Sequence, residues 1–230
     1  MRNEIALFDS GVGGLKILEG LRKTMPNENF VYAFDRTFAP YGTKSERAII
    51  KRAHYITSVL IKRKVKAIVI ACNTATAVAI DSLRHRYDMD FIGVEPPVAP
   101  ALKVSGNGKI LLLCTNLTAK SKRLARLCSV RDDIIVSPQK NLATIIEDNF
   151  LNLYAIKDEV ENILAPYKGE KIKAVALGCT HYYCIKDKIE KFFGGNIPVF
   201  TATDGVCNRV KSLVRHSVSP NGGFVKYLYL

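Results

Sequence analysis

Short apolar runs alternate with longer amphipathic segments along this chain. Strand-like runs fall at residues 4–8, 30–34, 67–71, 91–94, 109–114, 133–136, 173–178 and 198–200, each of a length and composition that suits a strand buried on both faces. Between them, Leu15, Leu18 and Leu21 recur every three residues, and Ile49, Ala53, Ile56 and Leu60 every three or four. That spacing gathers apolar side chains on one face of a helix. Strands and helices in alternation predict β-α units feeding a mostly parallel sheet, an α/β fold flanked by helices.

The pattern also repeats. Residues 66–74 (KAIVIACNT) align with residues 173–181 (KAVALGCTH), which places Cys72 and Cys179 at the same point of two copies, 107 positions apart. Residues 5–10 fall on residues 110–115 at a near-equal offset of 105. Duplication accounts for both and predicts two similar domains related by a pseudo-twofold axis, with the active site in the cleft between them. Pro96-Pro97 after a strand marks the break. The expected division is 1–95 plus 205–230 for the first domain and 96–204 for the second, a helix-like 204–216 returning the tail, residues 223–230, to the first.

Composition narrows the class without changing this picture. With 230 residues, 48% hydrophobic and 24% charged, the chain has enough apolar material for one large core or two smaller ones and is not a disordered polymer. Its apolar runs are far shorter than a membrane span needs. No targeting segment is legible near Arg2, Glu4 and Asp9, so the cytoplasm is the expected compartment. The net charge of +13 raises nucleic acid or an acidic small molecule as partner. Yet the basic residues interleave with apolar ones on helix faces, as in Lys44, Arg47, Lys51 and Arg52 or Lys120, Lys122, Arg123 and Arg126, a pattern that a solvated surface also explains.

Candidate chemistry gathers at the strand ends, where ligands bind in open parallel sheets because loops diverge and helix N-termini point outward. Asp9-Ser10, Asp35, Cys72-Asn73-Thr74, Glu95, Cys114-Thr115 and Cys179-Thr180-His181 each follow an apolar run. None of the six cysteines forms a C-x-x-C pair. A lone strand-end cysteine is more often packing than chemistry, and Cys114, Cys128 and Cys207 are read that way. The duplicated Cys72 and Cys179 are different. Two thiols aimed at opposite faces of one carbon suit a reaction that removes a proton on one side and returns one on the other, racemisation or epimerisation. An ordinary thiol pKa of about 8.5 lets one act as base while the other is an acid, and Asp9 or His181 is placed to manage the protons. His181 also reads as a helix-start residue. A metal site from Cys179, His181 and Cys184, completed by Cys72, lacks a standard tetrahedral spacing. Gly11-Val12-Gly13-Gly14 lacks the third glycine of a dinucleotide loop, since position 16 is Lys16; these glycines suit a tight turn whose N–H groups approach a carboxylate.

Five segments resemble the glutamate racemase family: FDSGVGG at 8–14, PYGT at 40–43, ACNTA at 71–75, GVEP at 93–96 and LGCTHY at 177–182. Their order and spacing span roughly residues 4 to 205. The resemblance implies a cofactor-independent, metal-free enzyme interconverting L- and D-glutamate for peptidoglycan. It implies Cys72 and Cys179 as the two acid/base thiols, assisted by Asp9 and His181. For substrate binding it implies Asp9, Ser10, Tyr41, Gly42, Asn73, Thr74, Thr180 and His181, with Thr115 as the duplicated counterpart of Ser10 and Glu147 as acidic support near the second thiol. It further implies a homodimer, and leaves contact with nucleic acid or DNA gyrase open. Departures are Tyr183-Cys184 where the family usually has proline, Cys114 where glycine is common, and a short C-terminal segment around Asp204-Gly205-Val206. An aspartate racemase of the same superfamily, or a basic nucleic-acid-binding or regulatory protein, are the alternatives.

Overall fold

The structure, a computed structural model, describes residues 4–129, 131–214 and 223–230. The first half runs β1 (Glu4–Asp9), α1 (Leu15–Thr24), β2 (Asn29–Phe34), α2 (Glu46–Lys62), β3 (Ala67–Ile70), α3 (Asn73–Arg86) and β4 (Phe91–Gly93), then the short α4 (Val98–Leu102). The second runs β5 (Lys109–Thr115), α5 (Asn116–Ala119), α6 (Lys122–Cys128), β6 (Ile134–Gln139), α7 (Leu142–Asp148), α8 (Lys157–Leu164), β7 (Ile172–Gly178), α9 (Lys186–Phe192) and β8 (Val199–Phe200). The chain ends with α10 (Thr203–Leu213) and β9 (Val225–Tyr229).

Every strand pair is parallel. The sheets are ordered β4-β3-β1-β2-β9 and β6-β5-β7-β8. Exchanging β1 for β5, β2 for β6, β3 for β7 and β4 for β8 turns one order into the other, apart from β9. This is the topological counterpart of the sequence repeat. All eight expected strands are present, their ends displaced by no more than three residues. β9, which the apolar runs do not predict, extends the first sheet by pairing with β2 from Phe30↔Val225 to Phe34↔Tyr229. The expected helix over 204–216 is α10, which packs on α1; positions 215 and 216 lie outside the described residues.

Alternation along the strands sorts the core. Ile5 and Leu7 of β1 join Leu18 and Leu21 of α1, whereas Ala6 and Phe8 face Ile49, Ala53, Ile56 and Leu60 of α2. The first of these clusters continues through Leu111, Leu113, Val175 and Leu177, so the two sheets share one apolar body that holds their strand ends in fixed relation. Local signals start the helices. Ser45 and Ser121 accept hydrogen bonds from the Ala48 and Leu124 N–H groups at 3.3 and 3.1 Å, the usual use of serine at a helix N-cap.

A buried carboxylate braces the loop from β2 to α2. Asp35, fully buried, accepts Arg52 Nε at 3.0 and 2.9 Å, Arg52 Nη2 at 2.5 Å and the Tyr41 hydroxyl at 2.6 Å. Its backbone N–H donates to the Asp9 carbonyl at 2.9 Å and its carbonyl accepts the Ala39 N–H at 3.2 Å. Removing the cation would strand a desolvated carboxylate. Arg52→Met is therefore expected to cost about 3–5 kcal/mol, read as a lower urea midpoint with the slope unchanged; a midpoint that does not move would contradict the brace.

Candidate active site

The strand ends of both sheets open on one cleft of about 230 Å³. Ser10 after β1, Tyr41 and Gly42 on the braced loop, Cys72 between β3 and α3, and Thr74 in the first turn of α3 form the wall from the first sheet. Thr115 at the end of β5, Thr144, Glu147 and Asp148 on α7, and Cys179 and His181 after β7 form the wall from the second. Each cysteine closes the equivalent strand of its own sheet. Both are buried, at 6% exposure each, and both belong to the lining of the one cleft.

Cys72 sits at the N-terminus of α3, where the Ala75 N–H donates a hydrogen bond toward its sulfur and the Ser10 hydroxyl is hydrogen-bonded to it. Burial first, and then the negative charge of Asp9, nevertheless hold its thiol well above the ordinary value. Asp9 is buried within reach of that sulfur's field. Its Oδ1 accepts the Ser10 N–H at 2.7 Å and the Ser10 hydroxyl at 3.3 Å; its Oδ2 accepts the Gly14 N–H at 2.5 Å and the Thr180 hydroxyl at 3.2 Å. Complete burial pushes this carboxyl up to about 6, against the opposing charge of His181. Ser10 thus bridges Cys72 to a carboxylate poised near neutrality.

The other side is built on an imidazole. His181 Nε2 lies 2.8 Å from Glu147 Oε2, and its ring also hydrogen-bonds Cys179. Burial opposes a charged ring, but the bonds to Cys179 and Glu147 outweigh it and raise its pKa well above the usual value. Burial likewise works against the Glu147 carboxylate, yet the His181 bond and the Val12 N–H at 2.9 Å bring it below the ordinary range. The glycine run makes this meeting possible: a Cβ on Gly13 would stand 2.6 Å from the His181 backbone nitrogen, closer than real Cβ contacts allow. The N–H groups of this turn reach the protein's own Asp9 and Glu147 carboxylates.

Of the residues singled out in the sequence, Ser10, Tyr41, Gly42, Cys72, Thr74, Thr115, Glu147, Cys179 and His181 line the cleft. Asp9, Asn73 and Thr180 lie behind its wall. The Asn73 Nδ2 donates to the Val94 carbonyl at 3.0 Å, Thr180 is spent on Asp9, and the Tyr41 hydroxyl is spent on Asp35. Asp35, Glu95 and Cys114 are not in the lining either. Glu95 accepts Arg123 Nε at 2.6 Å, and Cys114 is a fully buried thiol whose pKa burial pushes up to about 12. The sequence reading missed Arg36, Ala39, Pro40, Ala143, Thr144 and Asp148. The strand-end rule applied two residues past β2 would have found Arg36; α7 has only Glu147 to advertise it. Among the described residues, no group of three or more His, Cys, Asp or Glu side chains is placed to hold a metal ion.

Comparison with known proteins points the same way. The family model for Asp/Glu/hydantoin racemases matches residues 15–210. A glutamate racemase of Clostridium botulinum is 34% identical over 216 residues, 93% of this chain and 84% of that protein, and one of Clostridium kluyveri 35% over 222 residues, 94% and 86%. The crystal structure of Escherichia coli glutamate racemase, in complex with L-glutamate and the activator UDP-MurNAc-Ala, superposes with a TM-score of 0.88 at 25% identity, covering 100% of this chain and 99% of that one. Glutamate racemase RacE1 of Bacillus anthracis gives 0.86 at 26%, covering 99% and 88%.

Proposed function

Because the chain belongs to the Asp/Glu/hydantoin racemase family, we propose that it interconverts L- and D-glutamate by a two-base mechanism in which Cys72 and Cys179 serve the opposite faces of the α-carbon. The carrying observation is the pair of buried thiols that equivalent strand ends present to one cleft. One sulfur, as thiolate, takes the α-proton; the carbanion left behind collects a proton from the opposing thiol; the α-carbon emerges inverted and the two sulfurs have exchanged protonation states. Neighbours manage the protons. Ser10 and Asp9 serve Cys72, and His181, held by Glu147, serves Cys179. Around the α-carbon, the Ser10, Thr74 and Thr115 hydroxyls and the N–H groups at the starts of α3 and of the turn Thr180–Ile185 suit a carboxylate.

The same reading assigns the product to peptidoglycan synthesis, the domains to 1–95 plus 205–230 and 96–204, and a homodimer on the family resemblance. It places the enzyme in the cytoplasm, where reducing conditions keep both sulfurs as thiols. Among the described residues no helix is long and apolar enough to cross a membrane. The substrate is tested by offering the enantiomers of glutamate and of aspartate side by side and following optical activity. Racemisation of glutamate at least about tenfold faster in kcat/KM is expected; faster loss of signal with aspartate would overturn the substrate.

A further inference from the structure

The cleft holds a cation that the proton chemistry leaves unused. Among the described residues Arg36 is the one arginine or lysine in the lining. Other arginines nearby are committed: Arg52 to Asp35, and Arg123 to Glu95 and Asp81. Arg36 makes no hydrogen bond or ion pair with any described residue, although Glu147 lies within reach of its field. Its backbone is firmly held. Asp35 precedes it on the brace already described, and Thr37 after it accepts Arg52 Nη2 at 3.3 Å and donates its hydroxyl to the Leu230 carbonyl at 2.9 Å. An exposed guanidinium with free donors on a fixed loop is the geometry that recognises a carboxylate in two-pronged fashion.

Inversion requires the α-carbon to sit between the two sulfurs, which anchors the amino-acid end of the substrate deep in the cleft among the hydroxyls. The side chain must then leave along a wall. The wall from Arg36 through Ala39, Pro40, Tyr41 and Gly42 is the one that carries a positive charge, whereas α7 opposite presents Glu147 and Asp148. An acidic side chain is drawn to the first and repelled by the second. We propose that Arg36 binds the side-chain carboxylate of the substrate and thereby selects an acidic amino acid over its neutral amide. The inference rests on the glutamate reading above.

The test compares wild type, Arg36→Ala and Arg36→Lys with L-glutamate at low and moderate salt and across pH. Loss of a charge-assisted, two-pronged contact is expected to raise KM about 10–100-fold, with kcat changed less than about threefold. Lysine should recover part of the KM, and salt should raise KM in the wild type more than in Arg36→Ala. An unchanged KM in Arg36→Ala would overturn the assignment. An unchanged KM accompanied by a displaced pH profile of kcat would overturn it too, assigning Arg36 to holding Glu147. A wild type that is folded, reduced and silent on glutamate would instead bring down the racemase reading beneath it.

Discussion

Serine in place of either Cys72 or Cys179 is expected to lower racemisation by about 10³-fold or more, in both directions. Each turnover needs one sulfur as base and the other as acid, and a serine hydroxyl is too weak an acid and too poorly ionised to replace either. Because the two enantiomers have equal free energy in water, kcat/KM must fall by the same factor from L and from D. A difference between the variants therefore has to be sought elsewhere. Each retains one working thiol, so each should still exchange the α-proton of a single enantiomer with solvent without inverting it, and the two variants should favour opposite enantiomers. A variant that keeps more than about a tenth of wild-type racemisation would remove its cysteine from the mechanism.

The second large effect concerns the groups behind the sulfurs. His181→Asn and Asp9→Asn are each expected to lower kcat/KM by about 10²-fold, equally from both enantiomers, because each thiol is base in one direction and acid in the other. Since His181 serves Cys179 and Asp9 serves Cys72 through Ser10, the two variants should differ instead in which enantiomer still exchanges its α-proton with solvent. The pH dependence carries a sign. Asp9 can accept a proton only as carboxylate, and burial pushes its pKa up to about 6, so kcat/KM should fall from both enantiomers as pH drops through about 6. Asp9→Asn should abolish that acid limb. Kinetics between about pH 5 and 9, with α-proton exchange followed for each enantiomer separately, distinguish the cases; exchange lost equally from both enantiomers in both variants would show that the two groups do not divide between the thiols.

What could be read from the sequence was what local pattern determines. Buried parallel strands announce themselves as apolar runs, and the repeat that puts Cys72 and Cys179 at equivalent ends is visible because both strands are bounded by the same chemistry. β9 was less legible for a physical reason: residues 225–229 pair on one edge only and leave Lys226, Tyr227 and Tyr229 exposed, so no apolar run marks them, and their place beside β2 is a matter of docking. Side-chain direction was also beyond pattern. Asn73 and Thr180 stand next to the two cysteines, yet their side chains turn to the Val94 carbonyl and to Asp9, because buried polar groups take the partner nearest at hand. Arg36 belongs to no segment that carried the family resemblance, and its importance follows from the wall it shares.

The central claim, that two thiols act on opposite faces of one carbon, is tested most directly by incubating purified, reduced enzyme with L-glutamate in heavy water and separating the enantiomers at early conversion. Removal by one sulfur and delivery by the other predicts that the newly formed D-glutamate carries α-deuterium while the remaining L-glutamate keeps its α-proton, with the mirror result from D-glutamate. Deuterium appearing in recovered L-glutamate as fast as D-glutamate forms would mean that a single base serves both faces, and would contradict the account.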